Sequence, residues 1–268
     1  MPAEQALQRL SQALTNNPAA NVVIASEPDP ETGIVLQRLT LRQDLAVEFL
    51  ATTQNAVPAV NEDLILRPYD PGYTPGAHEL SYVELANHGD IAEQVRQVSQ
   101  VQQAELFRED DEIVDHLRFY AIIISPTARH RAAFFRTYSP TRELTRHRGF
   151  AALLDRGSYN KVDRKIFLFD YGIDCFAWDG YLFIRNVAAF QRIFEYFEEL
   201  RACANETVDT VSARIPVSNL DEFRAACTGQ LQMMSKLAQI ARKPYLNQVT
   251  MQDIRRTIDA FHLEVQIV

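Results

Sequence analysis

KIFLFDYGIDCFAWDGYLFIRNVAAFQRIFEYFEEL, residues 165–200, decides the fold. Ile166-Phe167-Leu168-Phe169 is an apolar run closed by Asp170 and Gly172, which reads as a buried strand. Ile173 to Trp178 reads as a second strand, and Tyr181 to Ile184 as a third. Asp179-Gly180 lies between the last two. That pair predicts a tight hairpin, because both central residues of a type I′ turn need positive φ. Asn186 is placed to cap a helix with its side-chain oxygen. Phe190, Ile193, Phe194, Phe197 and Leu200 recur at helical spacing, which predicts one helix packing an aromatic face on the sheet.

Outward from this module the chain continues as alternating strands and helices. On the N-terminal side, Ala3 to Leu14 has Ala6, Leu7, Leu10 and Leu14 on one helical face. Val22 to Ala25 and Ile34 to Leu39 read as strands around a turn rich in Pro, Asp and Gly. Helices are expected over Leu41 to Ala51, with Leu45, Phe49 and Leu50 apolar, and over Asp90 to Glu105. Leu64 to Leu66 and Tyr82 to Leu85 are short strands flanking the loop PYDPGYTPG, residues 68–76. Leu117 to Ser125 and Ala132 to Tyr138 predict a hairpin, and Phe150 to Leu154 with Lys161-Val162 another. On the C-terminal side, Ser218 and Thr250 are each followed three residues later by an aspartate, a capping-box pattern. Helices follow them, and Leu231 to Ala241 forms another, with Met233 and Met234 filling core. Leu263 to Val268 alternates as an edge strand, from which self-association is expected. The fold class is therefore α+β, a mixed or antiparallel sheet flanked by helices with a helical C-terminal part. The acidic stretch Glu109 to Asp115 suggests a division into residues 1–108 and 109–268, with the sheet in the second half.

Composition narrows the function classes. The 268 residues carry a formal charge of −8, and 47% are hydrophobic, an ordinary globular balance. No apolar run approaches the roughly 18 to 20 residues that span a bilayer, and MPAEQALQRLSQAL is no secretory signal. Cys175, Cys203 and Cys227 are widely spaced and form no zinc pattern, so buried reduced thiols are expected. GxSxG, GxGxxG, Walker A and HExxH patterns are absent.

The charges segregate. From Arg129 to Lys165 ten basic residues, Arg129, Arg131, Arg136, Arg142, Arg146, Arg148, Arg156, Lys161, Arg164 and Lys165, face three acids, Glu143, Asp155 and Asp163. Arginine forks suit bidentate phosphate contacts, and Phe134, Phe135, Tyr138, Phe150 and Tyr159 interleave with them. All of these basic residues except Arg156 are the candidate DNA-binding set. Two alternatives stand beside that reading. One is a solvated or subunit-facing surface that makes the chain a scaffold. The other is a metal-dependent nuclease built from Asp163, Asp170, Asp174 and Asp179 at strand ends, since hard oxygen ligands suit Mg²⁺. Asp163-Arg164-Lys165 conforms to part of a nuclease pattern, and Glu264-Val265-Gln266 lacks its lysine.

The segment from Phe169 to Leu200 resembles the central signature of the KwaB-like family of the bacterial Kiwa anti-phage system. Members have a strand ending in Phe-Asp, an Ile-Asp strand and a short turn. An aromatic-Ile-x-Asn and an aromatic helix come next. Here these are Phe169-Asp170, Ile173-Asp174, Asp179-Gly180, Phe183 to Asn186 and Phe190 to Leu200. Glu206-Thr207, Ile215-Pro216, the helix around Phe223, Met233 to Ile240 and Pro244 to Ile254 extend the resemblance across residues 120–268. It implies a cytoplasmic effector that binds duplex DNA and blocks its use without bond chemistry. It also implies a small membrane partner of the KwaA type and no cofactor. Family members usually run on for some tens of residues past the point where this chain stops.

Overall fold

A computed structural model describes residues 2–16, 18–29, 33–61, 63–71, 73–107, 116–127, 130–138, 151–155, 158–162, 169–214, 219–241, 250, 252–253, 255–256 and 260. The chain divides into two compact units, Met1–Pro68 with Ala77–Phe194, and Tyr69–Gly76 with Glu195–Val268.

The first unit is built on a nine-stranded sheet. Its strands are β1 (Ala19–Ser26), β2 (Val35–Leu39), β3 (Ile65–Pro68), β4 (Glu79–Glu84), β5 (Glu105–Leu106), β6 (Leu117–Ser125), β7 (Ala132–Thr137), β10 (Cys175–Trp178) and β11 (Tyr181–Ile184). A separate antiparallel pair, β8 (Ala151–Asp155) and β9 (Ser158–Val162), is the hairpin expected from Phe150 to Leu154 with Lys161-Val162. The sheet order is β3-β4-β11-β10-β7-β6-β1-β2-β5. Its seven inner strands pair antiparallel, and only the outermost pairs, β3 with β4 and β2 with β5, are parallel. The fold is the expected α+β mixed sheet. It is not confined to the second half of the chain, because β1 pairs with β6 and β4 with β11 across residue 108. Strand partners are chosen by complementary apolar faces, which carry no information about sequence distance.

Both faces of the central strands are covered, which explains their unbroken apolar runs. On one face Val22, Ile24, Tyr120, Ile122, Phe134, Phe176 and Phe183 pack with Leu7, Leu10 and Leu14 of α1 (Pro2–Leu14) and Phe49 of α2 (Gln43–Ala56). Phe134, Phe176 and Phe183 sit opposite one another on β7, β10 and β11 and stack at 5.5 and 5.1 Å. Each such pair contributes about 0.5–1.5 kcal/mol beyond its burial. On the other face Phe135 of β7 meets Phe194, at the end of α4 (Val187–Ile193), at 5.1 Å. Gln94 of α3 (Gly89–Ser99) donates to the Ile193 carbonyl at 2.9 Å. The second unit has its own core of Leu200, Ala204, Val208, Cys227, Met234, Leu237 and Ala238 on α5 (Glu198–Ser212), α6 (Leu220–Thr228) and α7 (Leu231–Ala241).

Several expectations are corrected. Asn186 to Leu200 is two helices, α4 and α5. Phe190, Ile193 and Phe194 are buried in the first unit, whereas Leu200 is buried, and Phe197 partly so, in the core of the second. The chain turns between them at Glu195, whose φ is 50°. The strand expected over Ile173 to Trp178 begins only at Cys175. Of the strand expected over Ile166 to Phe169, Phe169 is not in a strand, and the rest lies outside the described residues. Helix α3 stops at Ser99, whose hydroxyl donates to the Val95 carbonyl, and Glu105-Leu106 pairs instead with β2. Leu45 stays 38% exposed one turn ahead of Phe49, and of the methionine pair Met234 is core while Met233 is 40% exposed. Phe223 is likewise partly exposed, leaving Cys227 as the buried residue of α6. The N-cap position of α6 is Asn219; Ser218 lies outside the described residues, as do Ile254, Ile258, Phe261 and Leu263 to Val268. Thr250 and Asp253 do form the reciprocal capping bonds, and the Thr250 hydroxyl and then its amide, both donating to the Asp253 carboxylate, hold that carboxyl below its ordinary range. All three cysteines are free, with burial raising each thiol pKa.

The Asp179-Gly180 hairpin has φ of 51° and 84° at its two central residues, as a type I′ turn requires. A Cβ at Gly180 would meet no atom within 4 Å, so Gly180→Ala carries only the backbone cost. It should destabilise the protein by about 1–2 kcal/mol, read as a lower urea midpoint. An unchanged midpoint would contradict this turn geometry.

Candidate functional site

The sheet order places the end of β7, the start of β10 and the end of β11 side by side. Arg136 is the penultimate residue of β7, directly opposite Tyr120 on β6. Its Nε and Nη2 donate to the two oxygens of Asp170 at 3.0 and 2.7 Å, a bidentate fork. Its Nη1 donates to Asp174 Oδ1 at 2.6 Å. These two carboxylates raise the pKa of the guanidinium further above its ordinary value, with the Asp170 hydrogen bonds the largest cause.

Asp174 is 1% exposed, and it is kept there by saturation. Besides Arg136, it accepts from the Thr137 amide at 2.8 Å, the Thr137 hydroxyl at 2.9 Å and Asn186 Nδ2 at 3.3 Å. A buried carboxylate with about four acceptor sites is thereby fully used. Its main chain adds to the junction: the amide donates to Phe135 O, and the carbonyl accepts from the Arg185 and Asn186 amides. Asn186 Oδ1 meanwhile caps α4 through Ala189 N at 3.2 Å. One aspartate thus joins β7, β11 and the first turn of α4. Its charge, after burial, helps raise the pKa of the neighbouring Cys175 thiol.

Asp170 holds the other side. Its Oδ1 accepts from the Gly172 amide at 3.1 Å, and its carbonyl from the Tyr120 hydroxyl at 3.2 Å. A Cβ on Gly172 would lie 2.7–2.9 Å from the Arg136 guanidinium, so only glycine lets the loop lie this close. The preceding Phe169 ring packs edge-on against Tyr120 and Phe49, each at 5.1 Å.

The consequence concerns the basic stretch. Residues 139–168 lie in the chain between Tyr138, whose amide donates to Arg118 O at 2.9 Å, and Phe169. Arg136, just before this stretch in the chain, is clamped to Asp170, just after it. Between the clamped ends lie seven Lys and Arg residues and three acids, a net positive segment in a chain of charge −8. Of the candidate set, Arg131 donates to Ser99 O at 2.7 Å, and Lys161 lies on β9 opposite Ala152. Arg129, Arg142, Arg146, Arg148, Arg164 and Lys165 lie outside the described residues. Three of the interleaved aromatics serve a different purpose from the one expected. Phe134, Phe135 and Tyr138 are buried in the sheet, because β7 is covered on both faces; Phe150 lies outside the described residues.

The four strand-end aspartates do not share one centre. Asp170 and Asp174 converge on an arginine, Asp179 pairs with Arg9 from the hairpin turn, and Asp163 lies outside the described residues. Among the described residues no group of three or more His, Cys, Asp and Glu could hold a metal ion, and no helix is long and apolar enough to cross a membrane. Sequence reasoning named Arg136, Asp170 and Asp174 separately and missed their union. Nothing local signals it, since 34 and 38 residues separate the partners.

A model of the family described as Kiwa protein KwaB-like matches residues 116–268, more than half of the chain. No curated protein and no solved structure matches it.

Removing Arg136 leaves Asp174 buried without its cation. Arg136→Ala should cost about 3–5 kcal/mol of folding stability, and Arg136→Lys less, since it keeps the charge but not the fork. Urea unfolding of both variants measures this. Stability of Arg136→Ala within about 1 kcal/mol of wild type would remove the clamp from its central role.

Proposed function

As the chain belongs to the Kiwa protein KwaB-like family, and so is a component of the bacterial Kiwa anti-phage defence system, we propose that it acts there by holding duplex DNA. It binds without sequence preference and without cutting, and by occupying the DNA it denies the phage its use. The observation that carries this reading is the basic stretch of residues 139–168 in an otherwise acidic chain, with the residues flanking it, Arg136 and Asp170, paired to each other. Phosphate oxygens are its natural ligands: guanidinium groups offer paired donors, and each neutralised phosphate releases condensed counterions. Arg129, Arg131, Arg142, Arg146, Arg148, Lys161, Arg164 and Lys165 are the contacting set, while Arg136 is engaged by Asp170 and Asp174. The engagement of Asp170 and Asp174 with arginine favours a binder over a metal-dependent nuclease. A small membrane protein of the KwaA type is the proposed partner, with a homo-oligomer as the working form at a cytoplasmic membrane face.

Salt dependence tests the reading. Four or five phosphate contacts give a slope of about −4 in log K against log salt, a loss of roughly two- to three-hundred-fold between 50 and 200 mM. Replacing Arg142, Arg146 and Arg148 together by Ala should flatten the slope by about 3 and leave unfolding unchanged. The DNA should remain intact with Mg²⁺ present. Equal affinity of wild type and triple variant at low salt would remove this stretch as the DNA site and leave the scaffold reading. Cleavage of linear duplex would replace binding with nuclease chemistry.

A further inference from the structure

Among the described residues, every partly buried arginine but one donates its side chain to a protein oxygen. Arg118 reaches Glu27, Arg131 the Ser99 carbonyl, Arg136 Asp170 and Asp174, and Arg224 Asp209. Arg38 on β2 is partly buried too, yet its Nε is closed off from water with no acceptor in reach, and no described carboxylate pairs with its guanidinium. A guanidinium keeps its charge, so it cannot relieve this by losing a proton. Directly opposite Arg38, on the same face, stands Leu106 of β5, 47% exposed. Leu36, two residues before Arg38, and the buried Val23 beside it on β1 make the rest of this face apolar. β5 is the outermost strand on its side of the sheet. The Phe107 amide donates inward to the Arg38 carbonyl at 3.0 Å. Alternate residues of a strand turn their main-chain groups to opposite edges, so the N–H and C=O of Leu106 point outward, away from β2.

A cation without an anion, an apolar side chain without cover and an outward main-chain donor and acceptor thus meet at one sheet edge. An extended peptide with an acidic residue satisfies all three. A phosphate chain has no amide to pair with Leu106, and an apolar ligand has no charge for Arg38. We propose that the β5 edge takes up an extended acidic segment of a partner protein, which adds to the sheet as one further strand. Its main chain pairs with Leu106 and an apolar side chain covers Leu106. An aspartate or glutamate two residues away, on the same face, reaches the Arg38 fork. This is a protein-recognition site, and it does not depend on the DNA-binding reading.

The test uses the full chain and a fluorescein-labelled peptide of alternating valine and threonine, with glutamate in place of one valine. Anisotropy should report binding, and glutamine in place of the glutamate should weaken it roughly ten-fold, the order lost with one charge-assisted hydrogen bond. Arg38→Gln should lose as much with the glutamate peptide and little more with the glutamine one. Arg38→Glu should come to prefer a peptide with lysine at that position. Leu106→Pro removes the outward amide, while Glu105 and Phe107 still hold β5 to β2, and should weaken both peptides. Methylating the peptide amides along one edge makes the same test on the wild-type chain. Arg38→Gln breaks no ion pair among the described residues, so its urea midpoint should match wild type. No binding by wild type, or equal binding of the glutamate and glutamine peptides, overturns the inference and leaves the DNA reading standing. Weaker duplex binding by Arg38→Gln with unchanged peptide binding overturns it and makes Arg38 a phosphate contact. A shift of solution mass in Arg38→Gln without loss of peptide binding overturns it in favour of a contact between copies of this chain.

Discussion

A single guanidinium with two carboxylates organises this molecule. Arg136 forks Asp170 and reaches Asp174, and the latter is buried because every acceptor site it has is filled. Burying an ion pair is not in itself a source of stability, because desolvation cancels much of the attraction. What it supplies is register. An apolar side chain could fill the same space, but it would not specify where β7 ends, how the loop before β10 lies and where α4 begins. Asp174 settles all three at once, through Thr137, its own main chain and the Asn186 that caps α4.

The clamp also separates two jobs within one unit. Beneath it the sheet is dry on both faces, with stacked and edge-on phenylalanines from β7 to β11. Between its two partners in the chain lie seven Lys and Arg residues against three acids. On the proposed DNA-binding reading, contacts by a basic stretch of an acidic chain would be shaped by screening. Direct phosphate contacts act at short range, while repulsion from the acidic remainder falls off over about 10 Å at 0.1 M salt. Ionic strength would thus weaken attraction and repulsion together.

Legibility in the sequence followed the range of the forces involved. The Asp179-Gly180 turn, the Asn186 cap, the Thr250–Asp253 capping pair, the leucine face of α1 and the β6–β7 and β8–β9 hairpins were all readable. Each depends on residues within a few positions of one another. The charge segregation of the basic stretch was readable for the same reason. Where one pattern ran through two cores it misled: the aromatic spacing from Phe190 to Leu200 looks like one helix, yet its halves are buried in different units.

By itself, then, the sequence determined the α+β class, the types of the locally specified elements, the family signature and the existence of a basic segment. Tertiary structure alone decided that β1 and β4, from the first hundred residues, complete the sheet on either side of the β6, β7, β10 and β11 strands. It alone decided that Phe134, Phe135 and Tyr138 are core while Tyr171 faces solvent. It also turned Arg136 from one more cation into the clamp that holds Asp170 and Asp174. The reason is physical. A turn or cap is set by local dihedrals and orphan backbone groups, whereas the partner of a charge is whichever residue the packed sheet brings within about 3 Å, regardless of its place in the chain.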